Sequence, residues 1–107
     1  MSLLILQTHS PEHKLVSESY GVIATAAMLG QTITLAYCGE GVKQLADPET
    51  LSHLQTALDF GLERVFANAD DCGRFNISLG KVLGGNVVLP ITSLVSLIQD
   101  NNKALSF

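Results

Sequence analysis

Leu35-Ala36-Tyr37-Cys38-Gly39-Glu40-Gly41-Val42 is the stretch whose reading decides the fold. Ile33 to Tyr37 are mostly apolar and suit a buried strand, which runs to Cys38. Gly39 and Gly41 then supply the backbone freedom of a tight turn from strand into helix. In an open parallel sheet, ligands bind outside the carboxyl ends of the strands. A parallel α/β reading therefore puts Cys38 and Glu40 on the working edge.

Working outward, the pattern repeats. Leu3-Leu4-Ile5-Leu6 is a continuous apolar run, the mark of a strand covered on both faces, and a polar turn Gln7-Thr8-His9-Ser10-Pro11 ends it. Pro11 suits an early helical position and Ser10 a cap. Leu15 to Leu29 carries Leu15, Val16, Ser19, Val22, Ile23, Ala26 and Ala27 at helical spacing, with Gly30 as the stop. After Cys38 the sequence predicts a short helical turn over Val42–Leu45. A helix over Thr50–Phe60 follows, capped by Asp47 and ended by Gly61, and then a third strand over Arg64–Asn68.

Ala69 to Leu83 reads as a short or irregular helix. Asp70 and Asp71 are its expected caps, Gly73, Asn76 and Gly80 break its regularity, and a mobile loop over Gly80–Asn86 follows. Val87-Val88-Leu89 is the fourth strand, ended by Pro90. Thr92 or Ser93 caps a last helix over Leu94–Asn101, and Ala104 to Phe107 is a closing strand. Strands alternating with helices over short connections imply a parallel sheet with helices on both faces and right-handed crossovers. The expectation is one α/β domain over residues 1–107, a flavodoxin-like three-layer sandwich with about five parallel strands.

The totals restrict function. Apolar residues make up 47% of the 107 and charged residues only 15%, little charge for a small protein with an entirely wetted surface. Part of the surface is therefore expected to be covered by other subunits. A net charge of −4 without a Lys/Arg cluster argues against direct nucleic-acid binding. No apolar run approaches membrane-spanning length, and Met1 to Leu6 lack the features of a signal peptide, so a cytoplasmic protein without membrane contact is expected. Two cysteines then read as free thiols.

With these elements in place, the chain resembles the DsrE/DsrF-like family of bacterial sulfur-relay subunits, which includes the TusBCD type. The resemblance rests on the Ser10-Pro11 turn, the small-residue helix Glu18 to Leu29, the segment Tyr37-Cys38-Gly39-Glu40-Gly41-Val42-Lys43-Gln44-Leu45, and the order of strands to Leu105-Ser106-Phe107. The Gly-Val-x-Gln-Leu portion looks closest to the DsrF/TusC branch. The resemblance implies a subunit of a homo- or hetero-oligomer with related subunits. Such assemblies pass sulfane sulfur as cysteine persulfide from donor to acceptor proteins, toward tRNA thiolation or sulfur oxidation. The DsrE/TusD branch carries its reactive cysteine at the start of the helix after the third strand, where Cys72 falls here, while the DsrF/TusC branch supplies partner subunits.

Each candidate residue has two readings. Cys72 beside a helix N-terminus, with Arg74 nearby, suits a persulfide-carrying thiolate, but Asp70 and Asp71 are like charges that push its pKa up and suit an inert thiol. Cys38 is a weaker candidate, a small apolar residue at a strand end or a thiol on the working edge. His9, Glu40 and Gly41 are ligand or interface candidates on the same edge; Glu40 also suits a solvated turn and His9 a surface group. His13 and His53 read as surface residues. The histidines and cysteines lack zinc-site spacing, so no metal is expected. The glycines near Lys81 stand in the wrong order for a phosphate loop, the first turn has no glycine, and no nucleophile elbow is present. No nucleotide, flavin or other cofactor is expected. Beside the sulfur-relay reading stand a non-catalytic interaction subunit and a small-ligand binder using the cleft near His9, Cys38 and Glu40.

Overall fold

The structure, a computed structural model, describes residues 2–62, 64–79 and 88–107. Strands β1 (Ser2–Gln7), β2 (Thr32–Tyr37), β3 (Arg64–Asn68), β4 (Val88–Ile91) and β5 (Lys103–Ser106) form one sheet in the order β4-β3-β2-β1-β5, every neighbour parallel. Helices α1 (Leu15–Met28), α2 (Pro48–Asp59), α3 (Ala69–Arg74) and α4 (Val95–Asp100) alternate with them, and a 3-10 helix spans Gly39–Ala46 before α2. This is the expected α/β architecture with five parallel strands.

Strand order and crossover handedness together distribute the helices. Steps from β1 to β2, β3 and β4 all move one way across the sheet, so right-handed crossovers put their helices on one face. The return from β4 to β5 moves the other way and carries α4 to the opposite face. The cores agree. Val16, Tyr20 and Ile23 of α1, Leu54 and Ala57 of α2 and Cys72 of α3 pack with Ile5, Ile33, Leu35, Tyr37, Val65, Ala67 and Val88. Leu97 of α4 packs on Leu4 and Ala36 from the other side. Six residues of α4, about 9 Å of helix, cover little of that second face. Helices lie on both faces as expected, but Leu89, Val95 and Ile98 are exposed on this thinly covered one.

Several element ends differ from the sequence reading. Leu15 opens α1, and Ser10 and Pro11 stay in the preceding turn; the Ser10 hydroxyl donates to Glu12 instead of capping, and His13 Nδ1 accepts from the Leu15 N–H at 3.1 Å. The 3-10 helix extends beyond the expected Val42–Leu45 at both ends. Asp47 caps α2 as read, accepting from Thr50 N–H at 3.0 Å. The cap of α3 is Asn68 rather than Asp70 or Asp71, its side chain accepting from Asp71 N–H at 3.0 Å. Pro90 lies inside β4 instead of ending it. The strand is at the sheet edge and needs backbone donors on one side only. Ser93 Oγ accepts from Val95 N–H at 3.2 Å beside the start of α4. The expected mobile loop over Gly80–Asn86, and Val87, lie outside the described residues.

Candidate functional site

The carboxyl ends of β1, β2 and β3 meet where the sequence placed the working edge. Gln7 ends β1, and its carbonyl accepts the Cys38 N–H at 3.0 Å just past the end of β2. Cys38 is extended, and its own carbonyl accepts from Gly41 N–H at 2.9 Å, which starts the 3-10 helix. The turn between them needs a left-handed residue, Gly39 at φ +55°, and its N–H donates to Asp71 Oδ2 at 2.6 Å. Asp71 thus ties the turn after β2 to the first turn of α3. Its other oxygen accepts from Arg74 at 3.0 Å. Arg74 lies over the Phe75 ring at 4.7 Å, and Lys43 lies over the same ring at 4.6 Å.

Beneath this edge lies a buried polar chain. Gln7 donates to Ser19 Oγ at 2.7 Å, and Ser19 donates onward to the Val16 carbonyl at 2.5 Å. Gln44 Nε2 donates to Gln7 Oε1 at 3.2 Å and to the His9 carbonyl at 2.9 Å. Tyr20 donates its hydroxyl proton to Gln44 Oε1 at 2.7 Å, so it accepts from the Tyr37 hydroxyl 2.6 Å away. Burial pushes both phenols well above their ordinary value, and both stay protonated donors. The chain joins β1, α1, β2 and the 3-10 helix, and it reaches the His9 carbonyl and, through Gln7, the residue whose backbone holds Cys38.

The six candidates separate. Cys72 is 5% exposed and belongs to the main core among α3, α2 and the sheet, so its sulfur faces inward. Cys38 is half-buried at the edge. Burial, and then the Asp71 carboxylate, push both thiols above their ordinary value. At neutral pH both are protonated and weakly nucleophilic. Gly41 is buried, and a Cβ there would overlap the Gln7 carbonyl. Glu40 turns to solvent and pairs with Lys43 at 3.4 Å. Arg74 is exposed and held by Asp71. His9 stacks on His13, ring centroids 3.9 Å apart. His53 stacks on Tyr20 at 5.6 Å and is half-buried instead of fully on the surface. Among the described residues no cluster of histidine, cysteine and carboxylate side chains could hold a metal ion. No described helix is long and apolar enough to cross a membrane.

The bond from Gly39 to Asp71 and the Gln7–Gln44–Tyr20–Tyr37 chain are what the sequence reading missed. One signal was present: Ser19 falls on the apolar stripe of α1, and a polar residue there implies a buried partner. The role of Asp71 leads to an expected result. Asp71→Asn removes the negative charge beside both thiols while keeping an oxygen for the Gly39 N–H. The Cys38 thiol should then titrate at lower pH, and alkylation of Cys38 by iodoacetamide near neutral pH should speed up several-fold. An unchanged pH profile of alkylation would separate Cys38 from Asp71.

No family model and no curated protein matches the chain. Solved structures do. A conserved protein of unknown function from Bacteroides thetaiotaomicron, BT1422, superposes with a TM-score of 0.80 at 18% identity, over 99% of this chain and 94% of that one. The ychN protein from E. coli superposes with a TM-score of 0.73 at 13% identity, over 100% and 99%. These likenesses establish the fold over the length of the chain, a five-stranded parallel α/β sandwich of flavodoxin-like architecture.

Proposed function

We propose that this chain is a subunit of an oligomeric sulfane-sulfur relay of the DsrE/DsrF type, acting as a partner subunit of the DsrF/TusC kind and not as the persulfide carrier. The observation that carries the partner role is the placement of Cys72. A carrier thiol must reach the persulfide of a donor protein and attack as a thiolate. Its thiolate takes the outer sulfur, the donor S–S bond breaks, and the electron pair leaves on the donor thiolate. Cys72 is packed in the core, and burial together with Asp71 holds its proton on. Cys38 is the more open thiol, at the strand-end edge. The relay itself rests on the resemblance read from Tyr37 to Leu45, on the fold that accommodates it, and on an apolar, charge-poor surface suited to other subunits.

Intact-mass spectrometry tests the reading. The chain is incubated with a cysteine desulfurase and cysteine, with Cys38→Ser and Cys72→Ser beside it. Wild type and Cys72→Ser should behave alike, with no stable gain of about 32 Da, the mass of one persulfide sulfur. A gain lost only in Cys72→Ser would make this chain the carrier and overturn the partner role. A second arm adds a persulfide-carrying subunit of the same fold. Faster loading of that subunit in the presence of this chain is expected, and no effect would remove the relay reading.

A further inference from the structure

Away from the strand-end edge lies an apolar groove of about 720 Å³ beside β5, walled by one side of α1 and floored by Leu3 and Leu105. Its origin is topological. On the face carrying α1, α2 and α3, α1 crosses between β1 and β2, and among the described residues no helix covers β5. Leu105 pairs with Ile5 and points to that same face, as does Lys103 opposite Leu3. The result is exposed apolar surface: Val22 at 39%, Leu29 at 76% and Leu105 at 43%.

We propose that a second copy of this chain fills the groove, through antiparallel pairing of the two β5 strands about a two-fold axis near Leu105. Backbone, side-chain shape and charge all suit this occupant. Phe107 N–H donates to Leu6 and Phe107 C=O accepts from Thr8, so residue 107 spends its backbone groups on β1. Alternation in a parallel ladder assigns Leu105 and Lys103 the same role and turns the N–H and C=O groups of Ala104 and Ser106 outward. An antiparallel copy pairs Ala104 with the second copy's Ser106 and the reverse, which satisfies this edge. Leu105 then meets Leu105 of the second copy across the axis. The two α1 helices close over both β5 strands, with Gly21, Thr25 and Ala26 small enough for approach.

Charge selects the orientation. α1 runs against the strands, so Glu18 lies toward the carboxyl edge of the groove and Leu29 toward the other. Lys103 begins β5 at that opposite edge. The two-fold reverses the second copy and carries its Lys103 to the Glu18 end. Glu18 stands four residues, about 6 Å, from Val22 on the helix. Lys103 stands two residues, about 7 Å, from Leu105 on the strand. A parallel head-to-tail mate would lack this match. The interface is isologous, so the assembly closes at two through this surface.

This inference deepens the oligomeric half of the proposed function and rests on it, and its test is separate from sulfur loading. Sedimentation velocity at micromolar concentration should show a dimer. Leu105→Asp and Val22→Asp, both at exposed positions, should leave the circular dichroism of the fold intact and weaken association roughly a hundredfold. Lys103→Glu alone should weaken it about tenfold, and adding Glu18→Lys should restore it. Amide exchange at Ala104 and Ser106 should be slow in the wild type and fast in Leu105→Asp. A monomeric wild type would overturn the pairing and leave the reading of a subunit that assembles with different chains to the sulfur-loading test. An oligomer indifferent to all four substitutions, with fast exchange at Ala104 and Ser106, would overturn this surface and leave the relay subunit standing.

Discussion

Gly41→Ala is expected to destabilise the fold by about 3 kcal/mol or more, at the top of the range for forced overpacking. For a domain of this size that is a fall in thermal midpoint of more than about 12 °C. Gly41 itself is buried, and an added Cβ would overlap the Gln7 carbonyl oxygen and stand 2.5 Å from its carbon and 3.0 Å from the Thr8 nitrogen. All three are backbone atoms at the end of β1, and the Gln7 carbonyl is already engaged by Cys38 N–H at 3.0 Å. Neither segment can give way without breaking the hand-off from β2 into the 3-10 helix. Gly73→Ala is the matched control. It lies in α3 with nothing within 4 Å of an added Cβ, and alanine there should stabilise by about 0.5–1 kcal/mol. Calorimetry of both variants checks the contrast. A Gly41→Ala midpoint within about 4 °C of wild type, roughly 1 kcal/mol, would show that the close approach relaxes.

That same glycine shows how far the sequence could be read. The apolar run from Ile33 and the glycines after Tyr37 announce a strand entering a turn, and the turn is where the structure puts it. Five strands and their order along the chain were legible because each is a short apolar run between polar punctuation. Their order across the sheet was not, since pairing depends on contacts between distant residues. The thin cover of the α4 face and the open groove beside β5 follow from that order. The cap of α3 was misplaced. Asn68 was read only as the end of β3, yet its extended backbone there is what a cap needs, while Asp70 and Asp71 are already helical. Cys72 was legible as a residue after the third strand, but which side of a six-residue helix faces the core cannot be read from so short a period. Asp71 was legible as a charge near Cys72. Its bond to Gly39, thirty-two positions earlier, was not.

Gln44→Leu carries the second large expectation, a loss of about 3 kcal/mol. Leucine is close in size, so packing alone predicts little change, and the effect isolates the polar chain. Gln44 is 1% exposed and serves three partners, accepting from Tyr20 and donating to Gln7 and to the His9 carbonyl. Removing it strands a phenol proton, an amide oxygen and a backbone carbonyl, each costing about 1–3 kcal/mol when left buried without a partner, with part recovered by relaxation toward water. The His9 carbonyl lies nearest the surface and is the easiest to rehydrate, which keeps the total near the low end of that sum. The loss is not additive with Gln7→Leu. Gln7 Oε1 and Gln44 Nε2 bond each other at 3.2 Å, so the double variant should be more stable than the sum of the two singles predicts, by about 1 kcal/mol. Chemical denaturation of the four proteins measures the cycle. Additive losses would mean that the two amides are satisfied independently, and the carboxyl edge would then be held by its backbone turns alone. A positive coupling would make the buried chain the element that fixes the Cys38 turn against β1, so that a subunit docking on this edge meets a preformed surface.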